Sequence, residues 1–261
     1  MNQTKKTALI TGASEGIGLV FAKQLILAGY TVTLVARRAS VLEQVAAQLG
    51  SGTRFITADL STTAGADAVC DLILEQSFDL VINNAGVGVV GAFSEASIDR
   101  QLDMLHLNIE SLVKISHAYL NAAKSGNALI NVSSTLAFSP MPGIALYSAT
   151  KAFVTAFSDC LWYENKHRGI YVMGLCPGAT STRFQVNAGG KEGDVPKNIM
   201  QTPEQVVDVA MAELRKREKP TVVSGNLNRF FGLISRALPR KAIVTNMGRM
   251  AEKTRLQNQN P

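Results

Sequence analysis

Thr7-Ala8-Leu9-Ile10-Thr11-Gly12-Ala13-Ser14-Glu15-Gly16-Ile17-Gly18 is the stretch that decides the fold. Its first four residues read as a short buried strand, and Gly16–Ala28 carries a helical period that Gly29 stops. Between strand and helix, glycines at 12, 16 and 18 let the backbone turn sharply and approach a pyrophosphate. The helix opening at Gly16 offers that anion free N–H groups and the positive end of its dipole. A glycine cluster after a strand is often only a tight turn. The strand–loop–helix setting is what makes this one, with spacing GxxxGxG, a dinucleotide-binding candidate through Gly12, Ser14, Glu15, Gly16, Ile17 and Gly18.

Outward from this unit, short apolar runs alternate with longer helical segments. Further strands are expected at Thr31–Ala36, Arg54–Ala58, Phe78–Asn83, Ala128–Ser133, Ile170–Leu175 and Thr221–Val223. Helices are expected at Ala39–Leu49, between the third and fourth strands, and over Ile98–Ala123, Ser148–Lys166 and Pro203–Lys216. Right-handed crossovers then give an α/β fold: a Rossmann-type doubly wound sheet of about seven parallel strands with helices on both faces. No repeat, low-complexity stretch or linker interrupts the pattern. Residues 1–225 read as one domain, and 226–261 as a C-terminal basic amphipathic extension of it.

Composition narrows the class. With 46% hydrophobic and 18% charged residues among 261, the chain can bury a large core without disulfides or metal. Cys70, Cys160 and Cys176 are odd in number and form no CxxC pair, as expected of reduced thiols in a cytoplasmic protein. Lys5 and Lys6 precede too short an apolar run for a signal peptide, and no run approaches the roughly 20 residues that span a bilayer. His106, His117 and His167 are scattered, so no metal site is expected. The net charge of +6 is uneven. Arg215–Pro261 holds eleven Lys or Arg against two acids, a net +9, so the preceding 214 residues sum to −3. No base-reading or stacking motif accompanies that charge, and nucleic acid is not expected as a partner.

The end of the second strand bears on the nucleotide. NAD-binding sheets of this kind usually place an acid there for the ribose 2′-hydroxyl, whereas NADP needs a cation for its 2′-phosphate. Ala36-Arg37-Arg38 supplies no carboxylate and two guanidiniums, which favours NADP. Two solvated arginines ending a strand are the plainer alternative.

Tyr147 and Lys151, four apart, share one helix face. Ser134 ends the fifth strand, and Asn108 lies inside the long helix before it. TGASEGIG (11–18), Asn83-Asn84-Ala85-Gly86, Asn108, Ser134, Tyr147-Ser148-Ala149-Thr150-Lys151 and Pro177-Gly178 occur in the order and spacing of the short-chain dehydrogenase/reductase family, which this chain resembles over roughly residues 5–225.

That resemblance implies roles. Tyr147 would be the general acid that protonates a carbonyl oxygen as hydride arrives from the nicotinamide. A free phenol, with a pKa of about 10, is a poor acid–base group near neutrality. An ammonium at Lys151 is expected to lower that value and to hydrogen-bond the nicotinamide ribose. Ser134 would polarise the substrate oxygen, with Ser133 directed to the opposite face by strand alternation. Asn108 resembles the family's helix-kinking asparagine that holds a water of the proton relay. Asp59 and Leu60 resemble the adenine-recognising pair, and Asn84, Ala85 and Gly86 the turn along the cofactor. Pro177, Gly178, Thr180 and Thr182 sit where the family clasps the carboxamide. Glu15 is a departure, because many NADP-preferring members carry a basic residue there.

The expected reaction is NADP(H)-dependent interconversion of a carbonyl and a secondary alcohol. Reduction of a 3-oxoacyl thioester and a catalytically silent NADP(H)-binding regulator are the alternatives. Val87–Phe93, Thr135–Leu146 and Phe184–Met200 would face the substrate. Val89, Phe93, Leu136, Phe138, Met141 and Ile144 point to a fairly apolar ketone, and Gly189, Gly190 and Gly193 to a mobile lid. A homodimer or homotetramer is expected from the resemblance. Beyond Val223, Leu227, Phe230, Phe231, Ile234 and Leu238 fall at helical spacing, as do Ile243, Val244, Met247 and Met250. Packing within or between subunits, a lid over a lipid-like substrate, and peripheral membrane contact are all open for this segment.

Overall fold

The computed structural model describes residues 5–191 and 199–257. Seven parallel strands form one sheet, β1 (Thr7–Thr11), β2 (Thr31–Ala36), β3 (Thr53–Thr57), β4 (Leu80–Asn83), β5 (Ala128–Val132), β6 (Tyr171–Cys176) and β7 (Thr221–Val223), in the order β3-β2-β1-β4-β5-β6-β7. Helices α1 (Gly16–Leu27), α2 (Ala39–Leu49), α3 (Thr63–Glu75), α4 (Ile98–Leu105), α5 (Ser111–Ala122) and α6 (Ala145–Asn165) alternate with these strands. They are followed by α7 (Phe184–Asn187), α8 (Pro203–Lys216), α9 (Asn226–Ala237) and α10 (Arg240–Gln257).

Side chains alternate across the pleat, and this period builds two cores from one sheet. Leu9, Val81, Leu129 and Val172 stand in register and pack under Ile73, Ile115 and Tyr119 of α3 and α5. Their neighbours Ile10, Ile82, Ile130 and Met173 face the other way, against Phe21, Leu25, Val206 and Val207 of α1 and α8. Strand order reverses between β1 and β4, so the crevice at their carboxyl ends is the switch point where doubly wound sheets bind ligands.

Two departures from the expected elements matter for that crevice. The helix expected over Ile98–Ala123 is interrupted by a π turn, His106–Glu110, in which the Ser111 N–H reaches the His106 carbonyl. Asn108 lies within it and is buried. Ser134 is not the last residue of β5. That strand stops at Val132, and Ser134 caps a short 3₁₀ turn, Thr135–Ala137, by accepting from the Leu136 N–H.

Candidate active site

The glycine loop is held by the turn after β4. Asn84 Nδ2 donates to the Thr11 and Gly12 carbonyls at 2.9 and 3.1 Å, while the Thr11 hydroxyl accepts from the N–H groups of Asn84 and Ala85 at 3.0 Å each. Gly12 has φ +66°, and a Cβ on it would lie 2.9 Å from Ala85 Cα. A Cβ on Gly18 would lie 2.4 Å from the Gly12 carbonyl oxygen. Both positions therefore need glycine for close approach. Glu15 occupies the N-cap of α1, yet its side chain makes no cap hydrogen bond, which leaves the first turn's N–H groups for an anion. Ser14 is half-buried in the loop, and Ile17 packs on the core below it.

Glu15 instead reaches two other elements. One carboxylate oxygen pairs with Arg38 at 3.3 Å, and the other accepts from Asn187 Nδ2 at 3.3 Å. Arg37 and Arg38 are both exposed at the end of β2. Nearby, burial pushes the Asp59 carboxyl up, but hydrogen bonds from the Ser61 N–H and hydroxyl, with the Arg37 charge, outweigh it and hold the pKa below the ordinary value. Leu60 is buried, and its carbonyl accepts from Ser111.

Tyr147 lies in the first turn of α6, which begins three residues earlier than the sequence pattern indicates. It is buried beside Val89 and Met104, with Val87, Leu136 and Ile144 around them, and its ring stands 5.2 Å from that of Phe184. Lys151 is one turn on, its Nζ 5.6 Å from the Tyr147 ring centroid and donating to the Val132 carbonyl at 2.8 Å. Burial raises the Tyr147 phenol well above its ordinary value, and a hydrogen bond with the Ser134 side chain draws it back in part. Burial likewise lowers Lys151 to about 8, with the neighbouring Cys176 opposing.

The lowering of the Tyr147 pKa expected from Lys151 is outweighed here by desolvation, and the lysine amine is engaged by Val132. The Ser133 hydroxyl donates to the Lys151 carbonyl at 2.7 Å.

Asn108 is a clamp. Its Oδ1 accepts from the Val87 N–H at 3.0 Å, and its Nδ2 donates to the Val87 carbonyl at 2.9 Å and to Thr150 Oγ1 at 3.2 Å. Thr150 donates in turn to the Tyr147 carbonyl at 2.8 Å, so the π turn braces the helix turn that carries the tyrosine. A Cβ on Gly86 would stand 3.2 Å from Asn108 Oδ1 and 3.4 Å from Lys151 Nζ. After β6, the Pro177 carbonyl accepts from Thr135, and Thr180 Oγ1 donates to the Gly178 carbonyl. Thr182 Cγ2 approaches the glycine loop, 3.1 Å from where a Gly16 Cβ would be.

The structure thus brings the 11–18 loop, Asn84–Gly86, Asn108, Ser134, Tyr147, Lys151 and residues 177–182 to one crevice, with Arg37, Arg38 and Asp59 at the β2 and β3 ends. Phe93 is 59% exposed and outside the apolar cluster, and Phe138 lies against α9 instead. Gly193, part of the expected lid, falls outside the described residues. Sequence reasoning placed Phe184 and Asn187 only within a substrate-facing segment and assigned no role to Met104, Thr150 or Asn228. Asn228 sits on α9, where a Cβ on Gly178 would collide with its amide. No local spacing marks such long-range contacts.

A family model described as short chain dehydrogenase matches residues 6–193. The chain belongs to the short-chain dehydrogenase family. A probable NADP-dependent dehydrogenase of Haemophilus influenzae is 32% identical, covering 85% of this chain and 91% of its own length. The 7β-hydroxysteroid dehydrogenase of Collinsella aerofaciens is 28% identical, covering 85% and 86%. A short-chain dehydrogenase from Sphingobium yanoikuyae, solved in complex with NADPH, superposes with a TM-score of 0.79 at 30% identity, over 89% of this chain and 93% of that one. The nicotinamide dinucleotide used by this short-chain dehydrogenase family fits the crevice: close-packed glycines, an α1 N-terminus without a side-chain cap, and two guanidiniums at the end of β2.

Proposed function

We propose that this short-chain dehydrogenase interconverts a fairly apolar ketone and its secondary alcohol with NADP(H). The observation that carries the reading is the Tyr147 phenol. Its proton affinity is drawn down by the Ser134 side chain, the Lys151 amine lies over its ring, and Phe184 and an apolar cluster enclose it.

NADPH, when bound, supplies hydride to the carbonyl carbon. Gly12, Ser14, Gly16, Ile17 and Gly18 would hold its pyrophosphate, and Arg37, joined by Arg38, its 2′-phosphate. Asp59 and Leu60 would border the adenine, and Asn84, Ala85 and Gly86 would line the path toward the nicotinamide. Pro177, Gly178, Thr180 and Thr182 would clasp its carboxamide. Arginine at the end of β2 and the NADPH found in the Sphingobium yanoikuyae relative support the phosphorylated nucleotide.

The proton chemistry follows from burial. A phenol whose pKa is raised holds its proton at neutral pH, so Tyr147 rests protonated, and it donates that proton in carbonyl reduction only as its phenolate is stabilised. Ser134 would donate a hydrogen bond to the substrate carbonyl oxygen and polarise it. As the proton leaves, Lys151, still largely cationic below its pKa of about 8, stabilises the developing phenolate. Alcohol oxidation needs Tyr147 deprotonated beforehand, so this direction should speed up as pH rises.

Turnover of NADPH with a panel of ketones tests the reading. Bulky apolar ketones should give higher kcat/KM than small polar ones. NADPH binding without turnover of any member would assign the chain to a silent, nucleotide-sensing role.

A further inference from the structure

Helix α9 is mounted inside out. Leu227, Phe230, Phe231, Ile234 and Leu238 recur at spacings of three and four and make one apolar face. A surface helix ordinarily turns such a face to the core, yet here Leu227, Phe230 and Phe231 are 56%, 58% and 55% exposed. The polar side meets the protein. Asn228 Nδ2 donates to Gln201 Oε1 and the Ser224 carbonyl at 3.2 and 2.8 Å, and Arg229 Nε donates to the Val223 carbonyl at 2.8 Å. These contacts fix the helix's rotation, so the apolar face points away from the body.

The charge around this face is predominantly positive. From Lys216 to Ala251 the sequence contains eight Lys or Arg and one acid, Glu218. Beside α9, a cleft of about 390 Å³ between α8, β7 and α9 is lined by Lys216, Lys219 and Arg229 against one acid, Glu213, together with Val222 and Leu233. The buried Glu213 carboxylate is taken up by the N–H groups of Glu218 and Lys219. Leu233, 65% exposed, joins the cleft to the flank of the apolar face. Arg240 and Lys241 follow Leu238 directly and are exposed. A second copy of this chain on the same face would set cations against cations. An anionic lipid surface offers the opposite sign to the cations and an apolar layer to the phenylalanines.

We propose that α9 docks this protein on anionic membranes, with Phe230 and Phe231 entering the acyl boundary and Lys216, Lys219 and Arg229 meeting lipid headgroups. The docked face adjoins the substrate segment, because Gly232 stands against Phe138 and Gly248 of α10 against Pro142. An apolar ketone could then pass from lipid to Tyr147. That consequence rests on the proposed carbonyl chemistry, whereas the docking does not.

Co-sedimentation of the full chain with vesicles tests the docking without any turnover. Vesicles containing phosphatidylglycerol should bind the protein at least about tenfold more tightly than pure phosphatidylcholine, and added salt should weaken that binding. Phe230→Ser with Phe231→Ser should abolish it, and Lys216→Gln with Lys219→Gln should remove the lipid preference, both with an unchanged melting temperature. Equal binding to both vesicle types, no binding, or binding unaffected by either double variant would overturn the proposal. So would a dimer that dissociates in the phenylalanine variant while vesicles bind neither protein, since a second copy would then cover the face.

Discussion

Replacing Lys151 by Met should make the protein more stable at pH 7 while removing its activity. The amine is buried, and its pKa falls from 10.5 to about 8. A shift of that size corresponds to roughly 3 kcal/mol of cost for holding the charged form inside the fold at pH 7. Below pH 8 folded and unfolded chains both carry the proton, and the folded chain bears that cost. Between about 8 and 10.5 the unfolded chain binds more protons, so wild-type stability gains as pH rises. Methionine keeps the apolar stem but deprives the Val132 carbonyl of its 2.8 Å donor, an offset of about 1 kcal/mol. The net gain of about 2 kcal/mol corresponds to a melting temperature about 4–8 °C higher at pH 7. By pH 9 the advantage over wild type should shrink by roughly 1 kcal/mol. Thermal unfolding of both proteins at the two pH values reads this directly. A melting temperature lowered at pH 7, or an advantage constant with pH, would show that Lys151 is not held as a destabilised ammonium.

Three further outcomes follow from the crevice. Arg37→Ala should weaken NADPH roughly 10- to 100-fold by loss of a charge-assisted hydrogen bond and leave NADH unchanged in a fluorescence titration; equal losses would remove the phosphate assignment. Glu15→Gln releases an exposed Arg38 pair, so NADPH should tighten by no more than about fivefold. Weaker NADPH binding would instead show that the Glu15 link to Asn187 organises the loop. Gly18→Ala forces a Cβ to within 2.4 Å of the Gly12 carbonyl oxygen. That overpacking should cost about 1–3 kcal/mol in denaturant unfolding and abolish nucleotide binding.

Much of this architecture was legible in the chain because it rests on local period and spacing. The apolar runs around Leu9, Val81 and Leu129 mark the central strands, and Gly12, Gly16 and Gly18 mark the turn between β1 and α1. The four-residue step from Tyr147 to Lys151 places both on one helix face. The π turn at Asn108 escaped the period because the apolar pattern continues across it. The pKa directions of Tyr147 and Lys151 escaped for another reason: pair proximity is visible in spacing, whereas desolvation depends on Met104, Val89 and Phe184, which arrive from three other elements. For α9, the spacing of Leu227, Phe230 and Phe231 reveals a stripe but not the side it faces. Hydrogen bonds to Gln201, Ser224 and Val223 decide that.

Single-turnover NADPH oxidation with a bulky apolar ketone, compared between wild type and Tyr147→Phe, tests the central claim most directly. Loss of the buried acid should slow the chemical step by about 10²- to 10⁴-fold, with NADPH affinity and fold retained. A variant that consumes NADPH at the wild-type rate would contradict the account, because the proton would then come from a group other than Tyr147.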